Sequence, residues 1–268
     1  MLDGYSDGLC ARRCRRRTCR SPGDRGPTAS IGNTGGIFLN ITTISFDVDQ
    51  TLIDTDRVIM RSMESARDEL IKRVPGKRSQ SLTVEQMWSI RDREEKDYVG
   101  KVRDFDEIRR RSFHRMLDHV GYTGPDLSVR LNEAYLEHRY NDIRPYEDVV
   151  PMLDALDRHY KLGLLSNGNN YPEYFGLADR FDFAVYAQDI GIEKPDPRTY
   201  QIAVERAGCS LDQLLHVGDS LETDVKGAQA VGVHAVWLNR NGAFNDTGIE
   251  PDYQIATLTE LPALLSLD

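Results

Sequence analysis

The sequence predicts an α/β protein: a parallel sheet core, an all-helical insert within it, and a disordered tail before it. Three observations carry this. Short apolar, β-branched runs alternate with helical stretches on both sides of a central segment, the pattern of parallel strands joined by crossover helices. That segment, about 90 residues long, shows helical periodicity and no strand signal, too much chain for a loop. The first 40 residues, rich in Gly, Ser, Arg and Thr, lack apolar periodicity.

Residues 1–40 hold seven Arg and three Asp, so this segment is basic in a chain whose net charge is −9. It has no apolar stretch of the secretory kind, and its three Asp speak against an organellar transit peptide. Cys10, Cys14 and Cys19 lie in it without a nearby fourth ligand, and Cys209 is distant, so they read as incidental reduced thiols rather than a zinc site. Strand 41–47 opens the core with the run Ile41-Thr42-Thr43-Ile44-Ser45-Phe46. Helices are expected over 57–74, stopped by Pro75-Gly76, and over 83–98, with Thr83 as N-cap. A third spans 105–119, with Phe105, Ile108, Phe113, Met116, Leu117 and Val120 near helical spacing and Gly121 as a stop. A fourth covers about 126–140.

The alternation resumes at residue 144. Helix 147–159 leads to strand 161–165, which ends in Ser166-Asn167-Gly168. Strand 183–186, helix 197–207 with Pro197 in its first turn, and strand 214–217 follow, the last ending in Gly218-Asp219-Ser220. Helix 221–230, strand 233–238, a weak edge strand near 253–255 and helix 258–266 complete the chain. The organisation is therefore a tail (1–40), a Rossmann-like core (41–55 and 144–268) and a helical insert (56–143). Acidity makes nucleic acid an unexpected partner, and no apolar run approaches the roughly 20 residues of a membrane span. A cytoplasmic monomer or homodimer is the expectation.

Polar groups recur where strands end. The first strand delivers Asp47 and Asp49, the second Ser166 and Asn167, the third Lys194 just downstream, the fourth Asp219, Ser220 and Asp224. Ligands of open α/β sheets sit at the carboxyl ends of strands. Clustered carboxylates there are costly unless a cation or proton compensates them. Hard carboxylate oxygens suit Mg²⁺, and a Lys with small hydroxyls suits phosphate oxygens.

The motifs Asp47-Val48-Asp49-Gln50-Thr51-Leu52, Leu164-Leu165-Ser166-Asn167-Gly168, Lys194-Pro195-Asp196-Pro197 and His216-Val217-Gly218-Asp219-Ser220-Leu221-Glu222-Thr223-Asp224 stand in the order of the haloacid dehalogenase-like (HAD) superfamily, which the chain resembles over about residues 41–268. The resemblance implies that Asp47 is the nucleophile forming an aspartyl phosphate and Asp49 the general acid and base. It implies Mg²⁺ held by Asp47, the Asp49 backbone carbonyl and Asp219. Asp224 would orient the metal's waters or Lys194, and Ser166, Asn167 and Lys194 would hold phosphate. The insert would be the family's helical cap. Gln50 departs from the Gly that many members carry there.

The expected activity is Mg²⁺-dependent hydrolysis of a small phosphorylated metabolite. The alternatives are a 2-haloacid dehalogenase, whose members in this superfamily lack the second acid of the first motif and need no metal, a sugar phosphomutase, and a non-catalytic phosphate-binding protein. Other polar residues read as structural: His216 as a satisfied core histidine, Arg109-Arg110-Arg111 as a solvated helix face, and Arg57, Arg61 and Tyr146 as flanks of the junction between core and insert. Thr51 is either a cap residue or a support for bound phosphate.

Overall fold

The computed structural model describes residues 40–98, 101 and 103–267. The expected tail, apart from Asn40, and Cys10, Cys14 and Cys19 lie outside the described residues. Six strands form one parallel sheet: β1 (Thr43–Phe46), β2 (Lys161–Ser166), β3 (Phe183–Tyr186), β4 (Leu214–Gly218), β5 (His234–Leu238) and β6 (Tyr253–Ile255), in the order β3-β2-β1-β4-β5-β6. β1 is central, with Phe46 level with Leu164 of β2 and with Val217 of β4. The chain moves outward from β1 in one direction and then in the other, so a crevice opens at the carboxyl end of β1, between β2 and β4.

Strand burial explains the composition. β1 is buried at all four positions, as a central strand covered on both faces requires. Alternation still sorts the faces. Val236 and Leu238 of β5 join Ile44, Phe46 and Leu164 in one cluster, against helix Val149–Leu156. Ala235 and Trp237 join Leu165, Val185 and Leu214 in another, against helix Pro197–Ala207.

Helices are numbered in chain order. Between β1 and β2 come α1 (Thr55–Arg73), α2 (Lys77–Ser81), α3 (Val84–Lys96), α4 (Phe105–His119) and α5 (Ser128–Arg139), then α6 (Val149–Leu156). After β3 come α7 (Ala187–Ile190), α8 (Pro197–Ala207), α9 (Gly227–Gln229) and α10 (Leu261–Leu264). Local chemistry sets the ends. Asp54 caps α1 by accepting the Arg57 N–H at 3.0 Å. Thr83 and Gln86 form a reciprocal capping box on α3. Beyond α4, Gly121 takes φ +72°, and the Tyr122 N–H reaches the Leu117 carbonyl at 3.0 Å, closing the helix in the Schellman manner. Helices α1 and α3–α5 share their own cluster, including Met63, Leu70, Met87, Phe113, Met116 and Leu131.

Several elements differ from expectation, among them the short helix α7. The α2 turn after Pro75-Gly76 was not foreseen. The closing helix is a 3₁₀ turn, Leu258–Glu260, followed by α10. The stretch expected as one helix over 221–230 begins as a π-helix, Leu221–Lys226, in which the Val225 N–H bonds the Ser220 carbonyl five residues back. No helix among the described residues is long and apolar enough to cross a membrane.

The two connections to the helical insert lie side by side. Ile53 bridges Pro145 in antiparallel fashion, and the Tyr146 N–H donates to the Leu52 carbonyl at 2.9 Å.

Candidate active site

The sheet gathers the sequence-predicted groups at the end of β1. Asp47 follows directly on β1, Ser166 closes β2, and Asp219 follows β4. Carboxylate oxygens of Asp47, Asp219 and Asp224 lie within 4.8 Å of one another. Asp224 arrives from the π-helix, whose wide turn carries it beneath Gly218. A Cβ on Gly218 would stand 2.3 Å from the Asp224 carboxyl, so glycine is required for this approach.

Lys194 answers part of this charge. Its ammonium, 2% exposed, donates to Asp47 Oδ1 at 2.8 Å and to Asp224 Oδ1 at 2.6 Å. Asp224 also accepts the Ser220 N–H at 2.9 Å and faces His216 Nε2 at 3.2 Å. His216 is fully buried, with Nδ1 2.9 Å from the Ser45 hydroxyl. Burial lowers its pKa, so the ring is neutral, and it satisfies both neighbours as a core histidine should. Burial opposes the ionisation of Asp224, but Lys194 and the His216 hydrogen bond outweigh it and hold this carboxyl below its ordinary range. Burial likewise opposes the charge on Lys194, and Asp224 and Asp47 restore it, raising its pKa.

Asp47 and Asp219 are not so well compensated. Burial, and then the neighbouring carboxylates working against Lys194, push Asp47 well above its ordinary value. Burial and Asp224 push Asp219 up to about 7. Asp219 has little else: its backbone carbonyl accepts the Trp237 indole at 2.8 Å, and the Thr51 hydroxyl reaches its Oδ1 only at 3.5 Å. Two carboxylates with excess negative charge, Asp47 buried and Asp219 half-buried, fit a hard divalent cation, whereas Asp224 is already saturated by Lys194, Ser220 and His216. The residues present therefore fit Mg²⁺ through Asp47 and Asp219, with Asp224 acting through Lys194.

Asn167, expected to touch phosphate, has its side chain engaged elsewhere. Its Nδ2 donates to the Lys194 carbonyl at 2.9 Å, and its Oδ1 accepts the Lys194 N–H at 2.7 Å. This two-point grip fixes the loop that presents Lys194. The Ser166 hydroxyl accepts the Gly168 N–H at 3.0 Å, which leaves its own proton for a ligand oxygen.

Asp49 stands apart from the acidic trio. Its Oδ1 accepts the Thr55 hydroxyl at 2.5 Å and is hydrogen-bonded by the Asn170 amide. Asn170, 1% exposed, is held by Arg139 Nη1 at 2.7 Å. Thr55, Asn170 and Arg139 were not anticipated. Asn170 lies two residues past a recognisable motif, and no periodicity links it to an arginine 31 residues earlier.

Asp49 also lines a pocket of about 230 Å³ between the core and the helical insert. Its other walls include Gln50, Ile59, Trp88, Arg91, Arg103, Arg109, Tyr135, Arg139 and Asn167–Asn170. The arginine run needs a correction: Arg110 is exposed and Arg111 partly so, but Arg109 is buried and faces this pocket, its guanidinium over the Tyr135 ring. Arg57 and Arg61 are exposed and do not line it. The Tyr146 hydroxyl donates to Gln50 Oε1 at 3.2 Å, tying the junction to the first motif. Arg240 stacks over the Tyr146 ring at 4.1 Å while gripping Asp148 at 2.7 and 3.0 Å. Gln50 has φ +61°, the left-handed region that glycine enters without strain, which gives a backbone reason for Gly at this place in many relatives.

The parallel sheet thus brings buried Asp47, buried Lys194 and the carboxylates of Asp219 and Asp224 to one crevice. Residues 41–232 match the haloacid dehalogenase-like hydrolase family, and the chain belongs to it. It is similar to the 5-amino-6-(5-phospho-D-ribitylamino)uracil phosphatase YigB of Escherichia coli strain K12, with 30% identity over 233 residues, 84% of this chain and 96% of that protein. It is similar also to the glyceraldehyde 3-phosphate phosphatase of Methanopyrus kandleri, with 27% identity over 234 residues, 82% of this chain and 95% of that one. Among solved structures, a 2-haloacid dehalogenase from Pseudomonas syringae pv. Tomato DC3000 shares 34% identity with a TM-score of 0.68, over 84% of this chain and 98% of that chain.

Proposed function

We propose that this hydrolase is a Mg²⁺-dependent phosphatase of small phosphate monoesters, working through an aspartyl phosphate on Asp47. The observation that carries the reading is the separation of the two acids of the first motif. Asp47 sits with Asp219 in an anionic pair suited to a divalent cation. Asp49, two residues on, is turned into the pocket and fixed by Thr55 and Asn170. Hydrolysis at phosphorus uses both acids, one for attack and one for proton transfer.

The Asp47 carboxylate attacks phosphorus, and the ester oxygen leaves with a proton from Asp49. Asp49, now ionised, takes a proton from a water that attacks the same phosphorus. The P–O bond to Asp47 breaks, phosphate leaves, and both acids return to their starting state. The Lys194 ammonium and the Ser166 hydroxyl hold the transferring oxygens, and Asn167 and Asp224 keep Lys194 in place. Mg²⁺, when bound, neutralises charge on the phosphoryl group, which is most of what phosphoryl transfer asks of a site. The helical insert, residues 56–143, serves as the cap that closes the pocket from water and selects the alcohol.

Phosphate release from p-nitrophenyl phosphate and a metabolite panel tests this, with Mg²⁺ and with chelator. Metal-dependent release is expected in the wild type and its loss in Asp47→Asn. The dehalogenase reading, favoured by the similarity to the Pseudomonas syringae enzyme, predicts instead chloride release from 2-chloropropionate that survives chelation. That result, with no phosphate released, would overturn the proposal.

A further inference from the structure

The pocket beside Asp49 contains more positive charge than its own acids use. Its lining has four guanidinium groups, Arg91, Arg103, Arg109 and Arg139, and three carboxylates, Asp49, Asp56 and Glu95. Two of the arginines are paired. Glu95 is held by Arg91 at 2.8 Å and by Arg103 at 2.9 Å, and Arg103 also reaches Glu193 at 2.9 Å. The other two are not matched in kind. Arg139, 5% exposed, is bonded to neutral groups: Asn170 at 2.7 Å, Asn169 at 3.3 Å, and the Tyr140 ring beneath it. Among the described residues no carboxylate pairs with it, and Asn170 stands between it and Asp49. Arg109, 7% exposed, meets Asn132 and Asp106, but the Asp106 side chain is 85% exposed and its charge is largely solvated.

A buried cation without a buried anion is costly, and holding an asparagine in place does not require one, since an amide would serve. The charge has a use if a ligand supplies the anion. The pocket is lined by Asp49, the acid assigned to protonate the leaving oxygen, and Asp47 is not among its walls, so the leaving alcohol of a phosphate ester would sit in it. Resting on the phosphatase reading, we infer that the substrate is a phosphate ester whose alcohol part carries a second anionic group, a carboxylate or a second phosphate, bound between Arg109 and Arg139. Both guanidinium groups present planar donors suited to either oxyanion. An uncharged sugar or alcohol would leave Arg139 without a counter-charge and Arg109 with only the exposed Asp106.

A matched series tests this: propyl phosphate, 3-phosphonooxypropionate and propane-1,3-diyl bisphosphate, assayed with Mg²⁺ on the whole chain. One or both of the doubly anionic esters should exceed propyl phosphate in kcat/KM by about 10- to 100-fold, the range of one charged hydrogen-bonded contact. Which of them gains distinguishes carboxylate from phosphate. Arg109→Gln should remove the preference by raising KM for the favoured ester, with circular dichroism certifying its fold, whereas Arg57→Gln, at an exposed position outside the pocket, should keep both the preference and propyl phosphate turnover. Arg109→Lys should retain part of the preference. Equal turnover of all three esters, or a preference that persists in Arg109→Gln, overturns the inference alone. Silence on every ester overturns the phosphatase reading and the inference with it.

Discussion

Asp219→Asn offers a test of the site that does not depend on turnover. The wild-type carboxyl has a pKa of about 7 in the fold against 3.8 in an unstructured chain, because burial and Asp224 disfavour its charge. A raised folded pKa means the folded state binds the proton more tightly. Stability in the absence of metal therefore falls as pH rises from about 4 to about 7 and stays low above that. A shift of about 3 units corresponds to a ceiling of about 4 kcal/mol. Because Asp47 shares this charge, the titration belongs to the pair, and about half of the ceiling is the expected effect of removing one member. Asparagine sacrifices little in exchange, since its amide oxygen can still accept the residue's own backbone N–H and the 3.5 Å contact from Thr51. With chelator at pH 8, Asp219→Asn should be about 2 kcal/mol more stable than the wild type, a rise in Tm of roughly 4–8 °C. The gap should close only below about pH 4, where the unfolded carboxyl is protonated too. Adding Mg²⁺ should raise the wild-type Tm and leave that of the variant nearly unmoved. Thermal melting across pH, with and without Mg²⁺, reads all three. A variant less stable than the wild type at pH 8 in chelator would refute the account of an overcharged cation site.

Other substitutions probe single contacts. Gly218→Ala places a Cβ against the Asp224 carboxyl and should displace it from Lys194, costing at least about 2 kcal/mol by urea denaturation. Gln50→Val, a β-branched side chain at φ +61°, should cost about 1–2 kcal/mol, whereas Gln50→Gly should stay within about 1 kcal/mol of the wild type; equal costs would show that strain is not the issue. Asp148 is opposed by burial, but Arg240 and the Leu258 N–H hold its pKa below 3.8. Its stabilisation is therefore complete above that value and is lost as pH falls below it, so Asp148→Asn should lower the Tm at pH 7 and converge with the wild type only in stronger acid.

Most of the site's framework could be read from the chain. β1, β2 and β4 announce themselves by apolar runs that end in polar groups, and parallel topology leaves those ends little choice but to meet. Lys194 was visible by its motif, and Asp224 by its spacing from Asp219. The parts that escaped notice depend on contacts between distant, individually unremarkable residues. Arg109 looked like one of three solvated arginines, because a run of like charges hides which member faces inward. The Arg139–Asn170–Asp49 chain joins three segments that share no pattern. The grip of Asn167 on Lys194 could not be read, because a strand-end asparagine signals polarity, not its partner, and here its side chain bonds the Lys194 backbone. The π-helical turn depends on the Val225 N–H choosing an acceptor one residue farther back, a choice that leaves no compositional trace.

The adjacent stitching of Leu52–Ile53 to Pro145–Tyr146 has a consequence for how such a chain can change. Because departure and return points are neighbours, the sheet meets everything between them as a single closed loop. The entropic cost of closing a loop grows only with the logarithm of its length, about 0.6 kcal/mol for each doubling. Helices could be added, removed or exchanged in that excursion while the strand ends that hold Asp47 and Asp219, and the loop that holds Lys194, keep their positions. The sheet and the helical excursion are thus free to evolve at different rates.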